Sequence, residues 1–483
     1  MLSLITFIPI IGAAVVALAP RRLARVIALA ASLVAFVLSL GLLAAFDASQ
    51  AGYQFVESAP WIPQFGIGYK LGVDGVSIWL VLLTTFIFPI ALWFSGESIH
   101  EREKAYYALM LLMETATLGV FLALDMFLFY VFWEFALVPM YFIIGVWGGE
   151  RRTYASVKFF IYTMAGSVLM LIAILALGIN AGSFDLEAIA RNNGSFAANA
   201  LLFLAFAIAF AIKVPVFPFH TWLPDAHVEA PTAGSVILAS VLLKMGGYGL
   251  IRFNLQLFPE ASAAFAPLMI ALAVIGILYG ALVAFAQSDA KKLVAYSSVS
   301  HMGYILLGIF ALNQIGIQGA ILQMVNHGLS TGGLFLIIGF IYERRHTREM
   351  NKFGGLLARM PLYGALALIL VLSSAGLPAL NGFVGEFVIL QGAFQANALA
   401  TAFAAFGMVL SAAYLLTMFQ KIFLGESRDP ANDGLRDLNW REVVSVAPLI
   451  VMCFVIGLYA TPFFNVMSSS VAGLLTGTGL AMK

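Results

Sequence analysis

Two lysines, two glutamates and three histidines stand where the chain is otherwise apolar, and together they could move protons. Lys213 ends an apolar run and is followed at once by Pro215, Pro218, His220, Trp222, Pro224, Asp225, His227 and Glu229. Lys244 falls in the middle of the next run, with Gly246 and Gly247 behind it. Glu134 lies about nine residues into its run, roughly 14 Å at ~1.5 Å per residue, near the middle of a ~30 Å hydrocarbon core. His301, His327 and Glu386 occupy later runs. A charge left in lipid costs several kcal/mol, so each group should face protein or water. Burial favours a neutral lysine and a neighbouring carboxylate favours a charged one. Moving Glu134 toward or away from Lys213 could therefore load or unload a proton. Histidine titrates near neutrality and suits the positions between lysines.

A structural reading competes at several positions. Glu114, in LLMETATLGVF, and Asp125 fit static ion-pair partners as well as functional groups. His220, His227 and Glu229 could equally be loop residues at the membrane interface, and Asp225 beside them is a secondary candidate. Asp74, in GVDGVS, reads as a helix N-terminal acid rather than a relay member. Lys213, Lys244 and Glu134 are the positions that a static role explains least.

The elements that must carry these groups are membrane helices. Hydrophobic residues make up 62% of the chain and charged residues 10%, and apolar runs of about 20 residues recur throughout. The expected fold is an all-α polytopic membrane protein with about fourteen transmembrane helices in a single transmembrane domain over 1–483. The first run, at 2–19, reads as a span and not a cleaved signal, because its positive charges follow it. Proline removes a backbone donor and clashes with the preceding turn, so the seventh span, at 197–219, must break beside Lys213. The twelfth, at 361–392, is interrupted at Ser373–Gly382 with Glu386 just beyond. An odd offset between two broken helices suggests two inverted five-helix repeats, at 104–252 and 262–424, flanked by spans over 1–95 and 441–467. The long polar connections are expected at 47–70, 181–193 and 426–441.

Arginine and lysine cluster in loops after odd-numbered spans, such as Arg21-Arg22, Arg151-Arg152 and Arg344-Arg345. The opposite face holds Lys70, Arg191, Arg252 and Lys483. The positive-inside rule then puts both termini on the outer face of an energy-transducing membrane such as the bacterial inner membrane. A formal net charge of +1 points to no nucleic acid. The single cysteine, Cys453, cannot form an internal disulfide or alone hold a metal or cluster, and no glycine-rich dinucleotide loop is present. No cofactor or metal site is expected in this chain.

Long motifs carry a resemblance over nearly the whole chain. VFWEFALVPMYF around Glu134, KVPVFPFHTWLPDAHVEAPT (213–232), LLKMGGYGLIR around Lys244, AYSSVSHMGY (295–304), MVNHGLSTGGLF (324–335) and GLPALNGFVGEF (376–387) resemble the antiporter-like proton-channel subunits of respiratory complex I. Within that family the M-type chains, counterparts of mitochondrial chain 4, fit best, since the L- and N-type sister chains usually carry lysine where Glu386 stands. The L-type also extends into a long lateral helix. The resemblance implies that Glu134 pairs with Lys213 and that a proton passes from Lys213 through His220 and water to Lys244. From there it would go by way of His301 and His327 to Glu386. It also implies that flavin, iron–sulfur clusters and quinone sit in partner subunits, that the partners include L- and N-type chains, and that the chain is not a homo-oligomer. The alternatives are a subunit of a multisubunit Na+/H+ antiporter, a membrane-bound hydrogenase relative, or a scaffold whose buried charges are static.

Overall fold

The computed structural model describes residues 1–191 and 196–480. Lys483 and the end of the connection near Asn193 lie outside the described residues. Each expected apolar run is helical. Among the described residues, eleven helices are long and apolar enough to cross a membrane. The count of about fourteen spans is therefore not met by length alone, and the reason is local. The first run forms the 17-residue helix Leu2–Leu18, and the seventh and twelfth are cut into shorter pieces. The last run also differs: Trp440–Leu458 ends two residues before a separate helix, Thr461–Thr478. Pro462, at the start of that second helix, tolerates a first turn but no continuation of the preceding helix.

Position in the bundle follows from what each helix carries. Arg21–Ala44 and Ala398–Phe423 expose apolar side chains such as Val26, Val37, Leu399 and Phe403, as a lipid-facing helix should. Thr232–Leu255 and Gln314–Arg345 are buried along their whole apolar windows. These two, with Ala290–Phe310, carry Lys244, His327 and His301. Small residues let backbones close on one another here, where lipid provides little hydrophobic drive. A methyl group at Gly407 would sit 2.7 Å from the Tyr304 hydroxyl, and one at Gly280 would sit 2.7 Å from the Ser300 amide.

Both expected breaks are present. Phe196–Lys213 stops at the lysine, and Trp222–Glu229 resumes after the two prolines. The carbonyl of Ile212, freed by the break, accepts a bond from Trp222 Nε1 at 2.8 Å. In the second break Pro361–Ser374 is followed by Asn381–Ala396. Gly376 there has φ +79°, which glycine adopts without strain, and the Asn381 carbonyl accepts from Asn326 Nδ2 at 2.7 Å. Non-helical backbone at membrane depth survives because protein groups satisfy it.

Two features depart from the expectation. The span carrying Lys244 is π-helical over Leu238–Leu242 and again over Leu250–Leu255, on either side of the lysine. The connection expected at 47–70 contains an antiparallel hairpin, Gln54–Ile62 with Ile67–Val73. It is tied to the bundle by Lys70, which meets Asp185 at 2.5 Å and Glu187 at 2.9 Å. Asp125 joins the two parts. Its carboxylate accepts from Phe127 N and Leu128 N, capping Met126–Trp147, and from Gly68 N in the hairpin. Asp125 is thus a cap and a tie, the structural reading that the sequence left open. Asp125→Ala should cost about 1–2 kcal/mol, the sum expected for a lost cap and a lost buried bond, read as a lower midpoint of thermal denaturation in detergent.

Candidate functional site: a buried polar axis

The broken helix delivers Lys213 to the interior with its last turn unextended. Its side chain is 1% exposed, and the ammonium has no hydrogen-bond partner. It lies over two aromatic faces, 5.3 Å from the Trp133 centroid and 5.6 Å from that of Phe159. Ring quadrupoles attract a cation there, more strongly when it is desolvated. Among the described residues no carboxylate lies within 4.0 Å of this ammonium. Glu134 does not close an ion pair with Lys213, contrary to the expected pairing. It is half-buried one residue beyond Trp133, near Tyr130 and Ser167, with Oε1 unpartnered.

Lys244 is in a different state. It is fully buried, and its Nζ lies 2.6 Å from His327 Nδ1. It also donates to the carbonyl of Ala239, a residue of the π-helical turn before it. The His327 and His301 rings are 5.7 Å apart between centroids. His301 Nδ1 then meets Glu386 Oε1 at 2.7 Å, and Gln323 Nε2 donates to the same oxygen at 3.1 Å. The observed sequence of groups is Lys244, His327, His301, Glu386, so the expected order of the two histidines is reversed. His301 Nε2, His327 Nε2 and Glu386 Oε2 are buried without a partner. Open valences on buried polar groups are where a transferred proton, or water carrying it, can bind.

His220 is 3% exposed and packs against Phe217, Tyr279 and Tyr296. His227 is fully buried, stacked on Phe335 at 4.5 Å, with both ring nitrogens unpartnered. Neither histidine is an exposed loop residue. Asp225 and Glu229 do have structural ties: Asp225 pairs with Lys158 at 2.7 Å, and Glu229 Oε2 accepts from Arg151 N at 2.9 Å. Glu114 is buried between Arg21–Ala44 and Glu103–Leu122, where Ser32 Oγ donates to it at 2.9 Å. Among the described residues no direct hydrogen bond joins it to the axis.

Sequence reasoning missed three groups. Gln323 donates to Glu386 and Asn326 satisfies the Asn381 carbonyl at the second break, and neutral amides inside a helix carry no charge signal in the sequence. Lys291 is 6% exposed and donates to the carbonyl of Ala230 at 2.6 Å, beside a cavity of about 150 Å³ that Glu229 and Arg348 also line. In the sequence it reads as one of a pair of loop lysines, and only the fold turns it inward. Asp74, read as an N-terminal acid, does accept from Val76 N and Ser77 N. It also pairs at 2.7 Å with Arg252, 178 residues away. Among the described residues no group of three His, Cys, Asp or Glu converges as a metal ligand set.

The family model described as NADH:quinone oxidoreductase/Mrp antiporter, TM, matches residues 123–411, which hold every member of the axis. The chain belongs to this family. It is 46% identical to "NADH-quinone oxidoreductase subunit M" of Rhodobacter capsulatus, over 98% of this chain and 96% of that one. It is 43% identical to "NADH-ubiquinone oxidoreductase chain 4" of Arabidopsis thaliana, over 98% and 97%. A chain in the structure of respiratory complex I from Thermus thermophilus with bound NADH superposes with TM-score 0.90 at 35% identity, covering 98% of this chain and all of that one. A chain of the Mrp complex from Dietzia shares the fold, with TM-score 0.86 at 24% identity over all of this chain and 55% of that one. Membership in the antiporter family fits the membrane-embedded helices and the two broken spans.

Glu386 tests the site's polar bookkeeping. Glu386→Leu leaves His301 Nδ1 and the Gln323 amide without their acceptor, while Glu386→Gln keeps a carbonyl oxygen there. The leucine variant should be less stable than the glutamine variant by about 2 kcal/mol, the cost of orphaned buried groups, measured by thermal denaturation in detergent.

Proposed function

We propose that this chain is a proton-translocating membrane subunit of an NADH:quinone oxidoreductase and that it holds no redox centre of its own. The carrying observation is the buried run Lys244–His327–His301–Glu386, together with a second buried ammonium, Lys213, that has no hydrogen-bond partner among the described residues. Imidazole suits such a run because it accepts a proton on one ring nitrogen and releases one from the other. His327 faces Lys244 with Nδ1 and keeps Nε2 open. His301 faces Glu386 with Nδ1 and keeps Nε2 open. A proton arriving from Lys244 at His327 Nδ1 can therefore leave from Nε2 toward His301, and His301 can hand one to Glu386.

Glu134 and Lys213 are the switch at the other end. Separated as they are here, the ammonium rests on aromatic faces. Approach of the carboxylate would favour its charged form, and withdrawal would favour release of the proton toward His220 and Lys244. The proton path is thus Glu134, Lys213, His220, Lys244, His327, His301 and Glu386, with His227 beside it. Asp225, Glu229 and Glu114 take structural roles, on the ion pair, backbone-amide bond and hydroxyl bond described above.

The arginine-rich loops are assigned to the inner face, so that both termini and the hairpin lie outside. The two breaks, five spans apart in residues 104–252 and 262–424, are read as matching elements of inverted repeats. Electron transfer belongs to partner subunits that hold flavin, iron–sulfur clusters and quinone, and the neighbours in the membrane are L- and N-type antiporter-like chains. The antiporter-family fold and the likeness to the complex I chain support this reading.

Glu134→Ala or Lys213→Ala should remove most NADH-driven proton pumping in inverted membrane vesicles while the assembled complex is still recovered. Normal pumping by a fully assembled Glu134→Ala complex contradicts the switch. Purification of the tagged chain with membrane partners only, and without NADH-driven quinone reduction, contradicts the oxidoreductase assignment.

A further inference from the structure

The helix that carries Lys244 continues to a second buried cation. Lys244, Tyr248 and Arg252 are spaced four residues apart, which puts them on one stripe of a helix. The last of them sits in the π-helical stretch Leu250–Leu255, and single π turns recur at functional sites. Arg252 is 4% exposed and makes three directed contacts. Nε donates to the Tyr248 hydroxyl at 3.2 Å, Nη1 to the Tyr53 hydroxyl at 3.0 Å and Nη2 to Asp74 at 2.7 Å. Its guanidinium also lies 5.1 Å and 5.3 Å from the two tyrosine rings. Tyr248, fully buried, donates in turn to the Phe121 carbonyl.

Immediately beyond the guanidinium is a cavity of about 330 Å³ at the hairpin end of the bundle. Tyr53, Asp74, Arg252, Gln256 and Ser470 line it. It is the size of several waters, and its walls are polar enough to hold them. Arginine stays protonated at any physiological pH, so it cannot relay a proton. A fixed cation at this place instead repels any proton moving between the cavity and Tyr248. Asp74 holds it there, itself fixed by two backbone amides at the start of Ile78–Ser98.

We infer that this cavity is an outward-facing water vestibule and that Arg252, held by Asp74, is a gate between it and Lys244. The inference rests on the proton-translocating reading above. Arg252 touches no group of the relay proper and acts as a positioning charge. With the guanidinium on Tyr248 the gate is closed. Displacing it off Tyr248 into the cavity, with the Asp74 bond kept, would open the stripe from Lys244 outward, and the π-helical backbone around it is the segment able to accommodate that change.

The test uses the intact complex reconstituted in proteoliposomes, without NADH, under an imposed pH gradient. Arg252→Gln should raise passive proton leak by up to about tenfold, the factor that unit charges roughly 12 Å apart give at an effective dielectric of about 20. Arg252→Lys, which keeps the charge, should restore most of the tightness. Adding Lys244→Ala to Arg252→Gln should remove the leak. A tight Arg252→Gln complex, or a leak indifferent to Lys244→Ala, overturns the gate. Normal pumping by Lys244→Ala alone would instead overturn the translocation reading, whatever the leak shows. Should Arg252→Gln fail to assemble, a Gln256→Cys variant reports on the vestibule, since the native Cys453 is buried. A membrane-impermeant maleimide added from the outer side should label it. No labelling from that side overturns the outward-facing vestibule.

Discussion

A lysine ammonium kept out of water inside a helical bundle is the constraint from which the rest of the structure follows. Moving a charge from water into a low-dielectric interior costs several kcal/mol unless something compensates it. The chain compensates its two lysines differently. Among the described residues Lys213 receives aromatic faces and no hydrogen bond, an attraction worth about 2 kcal/mol when desolvated. Lys244 receives a histidine nitrogen and a backbone carbonyl. One ammonium therefore rests against ring faces and the other has a defined hydrogen-bonding neighbour, which is the asymmetry that the proposed relay uses. Helix geometry serves both: a proline break ends the helix at Lys213, and π-helical turns flank Lys244.

The fold's class was legible because a bilayer leaves few options. Apolar runs of span length must be helices, and their charged members must turn inward. Both breaks were legible too, from prolines beside Lys213 and from Gly376-Leu-Pro378 before Glu386. Span number was less so, because a broken helix divides a single hydrophobic run into pieces that no longer meet a length criterion. The hairpin was not legible because its strands, Gln54–Ile62 and Ile67–Val73, pair irregularly, with register shifts, and are mixed polar and apolar without a clean alternation.

In the site, residue types were readable and adjacency was not. Lys244, His301, His327 and Glu386 stand out as polar residues in apolar runs. Which histidine meets the lysine depends on helix rotation and depth, and these are set by packing between Ala290–Phe310 and Gln314–Arg345. The same holds for Glu134 and Lys213, whose separation depends on where the Trp133 and Phe159 rings sit. Asp74 and Arg252 mark the limit most plainly. Each has an ordinary local explanation in the sequence, and only the three-dimensional fold brings them together.

If the axis conducts protons rather than merely storing charge, its terminal carboxylate must take one up. The most direct test is the ratio of protons translocated to electrons transferred in reconstituted complex carrying Glu386→Gln. Glutamine keeps the shape and an acceptor for His301 but cannot take up a proton. A conducting axis gives an assembled complex whose ratio falls below that of the wild type. An unchanged ratio would mean that protons do not pass through Glu386, and the Lys244–His327–His301–Glu386 run would then be a structural network.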